Sequence, residues 1–145
     1  MNGTSMQVAV GLGCDRGTPL ATLQLALDEA LALAGARLGD VAAAASIDLK
    51  ADEPGLLALA EQHGWTLTFY TPEQLAAVPV PNPSETVRKY TGSPSVSEAA
   101  ALLSASVVAG RIVPATALLV EKHKHRGPDG RNATVSLARC DSFSS

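Results

Sequence analysis

Apolar residues occur along the chain in short blocks separated by glycine- and proline-rich punctuation, and the blocks alternate in kind. Residues 6–12 form a β-branched run ending in glycine, which predicts a buried strand. Thr18-Pro19 then reads as an N-cap followed by proline at the first helical position. Leu20, Leu23, Leu27 and Leu31 recur at helical spacing from there until Gly35 stops the pattern. The run 41–47 is ambiguous by period, but its length favours a strand. Pro54 opens a second helix through Leu56, Leu57, Leu59 and Ala60, closed by Gly64. Residues 65–70 give the clearest strand, with Trp65, Phe69 and Tyr70 expected in the core. Thr71-Pro72-Glu73-Gln74 follows as a capping box for a short helix.

The segment 78–83 carries three prolines at alternate positions and predicts an extended path. Ser84 can cap a brief helix ending at Gly92. Ser95-Val96-Ser97-Glu98 is a further capping box, opening an alanine-rich helix to about Val107. A late strand over 115–122, turn chemistry at Gly127-Pro128-Asp129-Gly130 and a partner strand over 132–139 complete the pattern. Residues 141–145 read as a frayed tail. The sum is an α/β fold in a single domain spanning 1–145, with an ordered core at about 6–139. The expected architecture is a three-layer α/β/α sandwich, with a mostly parallel sheet of about five strands and a C-terminal antiparallel hairpin. Right-handed crossovers would bring the loops after the first three strands to one sheet edge, where chemistry is expected.

Composition sharpens this picture. Hydrophobic residues make up 46% of the 145 residues but aromatics only 3%, so alanine, leucine and valine must build the core, with helices lying close on the sheet. A net charge of −3 recommends neither nucleic acid nor an acidic membrane as partner. No apolar run reaches the length of a membrane span, and residues 1–6 lack signal-peptide features, so a cytoplasmic location is expected. Cys14 and Cys140 are too few for a disulfide framework.

Four segments could carry chemistry. Gly11-Leu12-Gly13-Cys14-Asp15-Arg16-Gly17-Thr18 joins the first strand to the first helix. It can cradle an anion on glycine backbone and helix N–H groups, with Arg16 as a bidentate fork, or it can be a turn for tight strand–helix packing. Its GxGxxxG spacing differs from the dinucleotide fingerprint, and no phosphate-loop lysine follows. Asp48, Lys50, Asp52 and Glu53 follow the second strand and could orient a substrate or move protons; Asp52 could equally serve only as a cap. Gly92, Ser93 and Ser95 precede a capped helix and form a second possible anion cradle, or a plain loop. Glu121-Lys122-His123-Lys124-His125-Arg126 is a basic patch in which His123 and His125 would share one strand face. No third metal ligand is placed by the sequence, and a solvated hairpin tip is the simpler reading. Cys14 lacks a histidine fixed beside it, and His63 reads as a surface residue.

Taken in order, these segments resemble a family of cobalamin-biosynthesis proteins, CobE and the C-terminal domain of CbiG. The residues that carry the likeness are the Gly11–Thr18 loop, Ile47-Asp48-Leu49-Lys50-Ala51-Asp52-Glu53-Pro54-Gly55-Leu56, the helix start from Gly92 to Leu102, and Ala133-Thr134-Val135-Ser136-Leu137-Ala138-Arg139. The resemblance implies an α/β domain acting at the ring-contraction stage of corrin assembly, where CbiG-type proteins open a δ-lactone on the macrocycle. It implies a corrinoid or precorrin intermediate as ligand and other cobalamin-biosynthesis enzymes as possible partners; from the residues themselves, neither a metal nor a cofactor of the protein's own is expected. Corrinoid intermediates carry acetate and propionate arms. Arg16, Lys50 and Lys122 would therefore supply charge, while Gly11, Gly13, Cys14, Asp15, Gly17, Thr18, Gly92, Ser93 and Ser95 would line the binding loops. In the family pattern a proline often precedes the lysine matched by Lys122; here Glu121 stands there. Three roles are open: a carrier or accessory factor, an enzyme with Glu53 or Asp48 as base and Lys50 or Arg16 stabilising an oxyanion, and a subunit docking on a biosynthetic methyltransferase.

Overall fold

The computed structural model describes residues 7–78 and 96–140. Five strands form one sheet in the order β3-β2-β1-β5-β4. They are β1 (Val8–Cys14), β2 (Val41–Ile47), β3 (Leu67–Tyr70), β4 (Leu118–Arg126) and β5 (Asn132–Arg139). Helices α1 (Leu20–Ala34) and α2 (Pro54–His63) cover one face; α3 (Pro72–Ala76) and α4 (Val96–Ala109) cover the other. The expected three-layer α/β/α sandwich with its terminal hairpin is therefore present.

The sheet is mostly parallel in strand direction, as expected, with the reversed strand supplied by the terminal hairpin. The pairs β1–β2 and β2–β3 are parallel, whereas β1–β5 and β5–β4 are antiparallel. Only β5 runs against the other four. Because β4 lies antiparallel to β5, it points the same way as β1. The turn after β4 consequently falls on the same sheet edge as the loops after β1, β2 and β3.

Apolar packing explains the layers. Val8, Val10 and Leu12 point from β1 toward Leu23, Leu27, Leu56 and Leu59, all fully buried. On the opposite face Ala9, Ala45 and Ala138 meet Ala99, Ala100, Ala101 and Ala105 of α4. These small residues let α4 lie close. A Cβ built on Gly11 would run into the Ser97 carbonyl oxygen and stand 2.7 Å from the Ala101 nitrogen. Helix-on-sheet packing thus accounts for Gly11, one of the two readings open for that loop.

Several local boundaries differ from expectation. Strand β1 runs on through Gly13 and Cys14, because its seven residues pair with β5 from Arg139 to Ala133. The N-cap of α1 is Pro19 rather than Thr18, since the Thr18 hydroxyl donates to the Asp15 carbonyl at 2.6 Å instead of capping the helix. Trp65 precedes β3 and stacks on His63 with ring centroids 4.9 Å apart, half-buried at the margin of the core. Residues 115–117 form a 3₁₀ turn, and β4 continues beyond Lys122 to Arg126. The Thr71/Gln74 capping box forms as expected: Gln74 N–H donates to the Thr71 hydroxyl at 3.1 Å, and Thr71 N–H donates to the Gln74 side-chain oxygen at 2.8 Å.

Candidate functional site

Two loops and the hairpin turn meet at the edge where β1, β2 and β4 end. The β1–α1 loop is fastened to the β2–α2 loop through two residues. Glu53, 1% exposed, accepts the Gly17 N–H at 2.7 Å on one carboxylate oxygen and the Arg16 guanidinium at 3.3 Å on the other. Arg16 also donates to Asp52 at 3.1 Å and to the Leu49 carbonyl at 3.2 Å. The Arg16 hydrogen bond holds the Asp52 carboxyl below the usual carboxylate range. The sequence points to Arg16, Asp48, Lys50, Asp52 and Glu53 on two loops, and three of these, Arg16, Asp52 and Glu53, come into contact. Asp48 and Lys50 bound a 3₁₀ turn in which Asp48 is exposed.

The opposite side of the loop is fastened to the hairpin. Asn132 donates its backbone and side-chain N–H groups to the Asp15 carboxylate at 2.8 and 3.2 Å. The Arg131 Nε donates to the Arg16 carbonyl at 2.8 Å. Gly17, in the left-handed region at φ 77°, keeps this approach open: a Cβ there would lie 3.2 Å from Arg131 Nε. Gly127 packs the turn onto α1, where an added Cβ would stand 2.5 Å from the Thr22 hydroxyl. The hairpin tip is therefore joined to the loop cluster while Arg126, Pro128, Asp129 and Arg131 face solvent. Asp129, Arg131 and Asn132 carry no local sequence signal for a site. The signal for them was topological, since a β4 parallel to β1 brings its turn to this edge.

A cleft of about 320 Å³ lies between the starts of α1 and α2, lined by Gly17, Thr18, Pro19, Leu20, Glu53, Pro54, Gly55 and Ala58. Gly55 sets its floor, since a Cβ there would collide with the Thr18 carbonyl oxygen. Thr18 is itself buried. Cys14 stands at the end of β1, and burial pushes its thiol up to about 11, with the Lys50 ammonium acting in the opposite direction. A thiol so poised is protonated at neutral pH and poorly suited to attack. Gly13 pairs with Thr134 inside the sheet.

Other candidates lie apart. Lys122 sits on the outer strand, next to a bulge and below the strand end; Arg126 occupies the position beside the turn. Gly92, Ser93 and Ser95 lie outside the described residues, although α4 begins at the same sheet edge. His123 and His125 do share a face, and both meet one carboxylate oxygen of Glu29 on α1, at 2.6 and 3.1 Å. Among the described residues no group of three His, Cys, Asp or Glu side chains is arranged to hold a metal ion. Nor is any helix among them long and apolar enough to cross a membrane.

The fold and loop edge define a three-layer α/β protein of mixed sheet whose candidate site lies at the carboxyl ends of the parallel strands. Residues 8–138 match the family described as Cobalamin synthesis G C-terminus, and the chain belongs to that family of cobalamin-biosynthesis proteins. It is 41% identical over 108 residues to Protein CobE of Sinorhizobium sp, covering 73% of this chain and 70% of that protein. It is 42% identical over 96 residues to a Cobalt-precorrin-5A hydrolase of Priestia megaterium, covering 66% of this chain but only 26% of the hydrolase. The crystal structure of CobE, a protein from the cobalamin (vitamin B12) biosynthetic pathway, superposes with a TM-score of 0.76 at 35% identity, covering 92% of this chain and 90% of that one.

Proposed function

We propose that the chain binds an acidic corrinoid or precorrin intermediate at this loop edge and acts as a carrier or accessory factor in cobalamin biosynthesis. The observation that carries the reading is the braced cleft. Arg16, 66% exposed, is held beside it by the buried Glu53, the Leu49 carbonyl and Asp52. A guanidinium fixed in this way suits a carboxylate arm, because its donors are oriented before the ligand arrives. The apolar walls Pro19, Leu20, Pro54 and Ala58 suit the rim of a macrocycle.

The carrier role is favoured over catalysis by the state of Glu53. Its two carboxylate oxygens accept from Gly17 and Arg16, so it is engaged in bracing the loops and, at 1% exposed, is shut away from a ligand in the cleft mouth. Hydrolysis on the macrocycle is the second reading, favoured by the identity to the Cobalt-precorrin-5A hydrolase, of which this chain matches about a quarter. Asp48 as base and Lys50 as the oxyanion partner would then carry it.

Titration of the purified protein with corrin-pathway intermediates, followed by visible spectrum and by mass, tests both. Saturable binding with unchanged mass supports the carrier. A mass change at catalytic protein levels, abolished by Lys50→Ala, replaces it with the hydrolytic reading. Absence of binding to every intermediate refutes both.

A further inference from the structure

Gly17 lines the cleft and is flanked by two arginines. Arg16 precedes it in the chain, and Arg131 Nε bonds to the Arg16 carbonyl at 2.8 Å. Both arginine side chains are exposed, Arg16 at 66% and Arg131 at 48%, and each carries an acidic partner of its own on one terminal nitrogen. Arg16 Nη1 meets Asp52 at 3.1 Å, and Arg131 Nη1 meets Asp129 at 3.1 Å. Asp52 is 78% exposed and Asp129 33% exposed. Each arginine has ties besides its acid. Arg16 retains Glu53 and the Leu49 carbonyl, and Arg131 retains the Arg16 carbonyl.

We propose that Arg16 and Arg131 form a two-guanidinium reader for two carboxylate arms of the ligand, with Asp52 and Asp129 as internal stand-ins that the arms displace. The proposal rests on the corrinoid-binding reading above and adds Arg131 as a specificity residue together with a built-in competitor. An exposed ion pair is weak, so exchanging it for a ligand carboxylate costs little, while a fixed guanidinium can engage the newcomer with two donors. Specificity for the acid form of the macrocycle over its amides follows, because an amide cannot replace Asp52 or Asp129 as an anionic acceptor.

The test compares cobyrinic acid, the free-acid corrin, with cobinamide, which keeps the ring and has amides in place of the acids. Wild-type protein, Arg131→Gln and Asp52→Asn are titrated with each, with melting temperature as the fold control. The wild type is expected to prefer the acid by on the order of tenfold or more. Arg131→Gln is expected to weaken acid binding about three- to tenfold and to leave cobinamide unchanged. Asp52→Asn is expected to tighten acid binding by up to about fivefold, the opposite sign from a residue that merely braces the loop. Equal binding of acid and amide, equal losses for both in Arg131→Gln, or weaker acid binding in Asp52→Asn would overturn the arginine reader while the corrinoid site stands. Failure of both corrins to bind any of the proteins removes the corrinoid reading and this proposal with it.

Discussion

Replacing Glu53 tests whether this carboxylate is a brace or a base. It is 1% exposed, and it accepts the Gly17 N–H at 2.7 Å and Arg16 at 3.3 Å. A hydrogen bond to a buried charged group contributes about 1.5–3 kcal/mol. The Arg16 pair adds only about 0.2–1 kcal/mol, because Arg16 faces water. Glu53→Ala removes both and should lower stability by about 2–4 kcal/mol, whereas Glu53→Gln keeps an acceptor for Gly17 and should cost about 1 kcal/mol. For a domain of this size, ~1 kcal/mol corresponds to about 3–4 °C in melting temperature, so the alanine variant should melt about 10 °C lower. Thermal denaturation followed by circular dichroism reads this directly. An alanine variant within about 2 °C of wild type would show that Glu53 does not tie the loops together, and would restore it as a candidate base.

The remaining predictions separate packing from chemistry. Gly11→Ala should destabilise by on the order of 3 kcal/mol by forcing α4 off the sheet, while Gly13→Ala, whose added Cβ meets nothing nearer than Thr134 at 3.9 Å, should be nearly neutral; equal chemical-denaturation midpoints would refute the packing of α4. Cys14, its thiol raised to about 11 by burial, should alkylate slowly at about pH 8 and speed up only in strong alkali; peptide mapping that finds it modified at the rate of a free thiol would contradict this. Asp52 and Asp129 titrate below their ordinary values, Asp52 through the Arg16 side chain and Asp129 through the Arg131 backbone N–H. Their contribution is therefore present above the unfolded carboxyl value of about 3.9 and lost as pH falls through the lower folded values. The double variant Asp52→Asn/Asp129→Asn should show a shallower acid limb of stability than wild type, and an identical limb would refute the pairing.

Much of the architecture could be read from local signals. The leucine spacing of α1, the stop at Gly35, the capping box before α3 and the run Asn132–Arg139 each have a nearby cause. What could not be read depends on contacts far apart in sequence. Gly11 looks like loop glycine until Ser97, brought over it by α4, supplies the reason for it. Lys122 looks like the end of a strand until pairing of Arg126 with Asn132 carries β4 further. Arg131 looks like a surface residue after a turn, since only the direction of β4 places that turn beside Arg16. Arg16 and Glu53 were legible as charged residues on two loops, but their shared hydrogen bonds belong to the fold.

Amide hydrogen exchange with and without a saturating corrin-pathway intermediate tests the binding edge most directly. Slower exchange in residues 14–18, 48–53 and 127–132, with little change at the far end of the sheet near 107–112, is the expected result. Protection confined to 107–112, or none anywhere despite bound pigment, would contradict a ligand site at the braced loops.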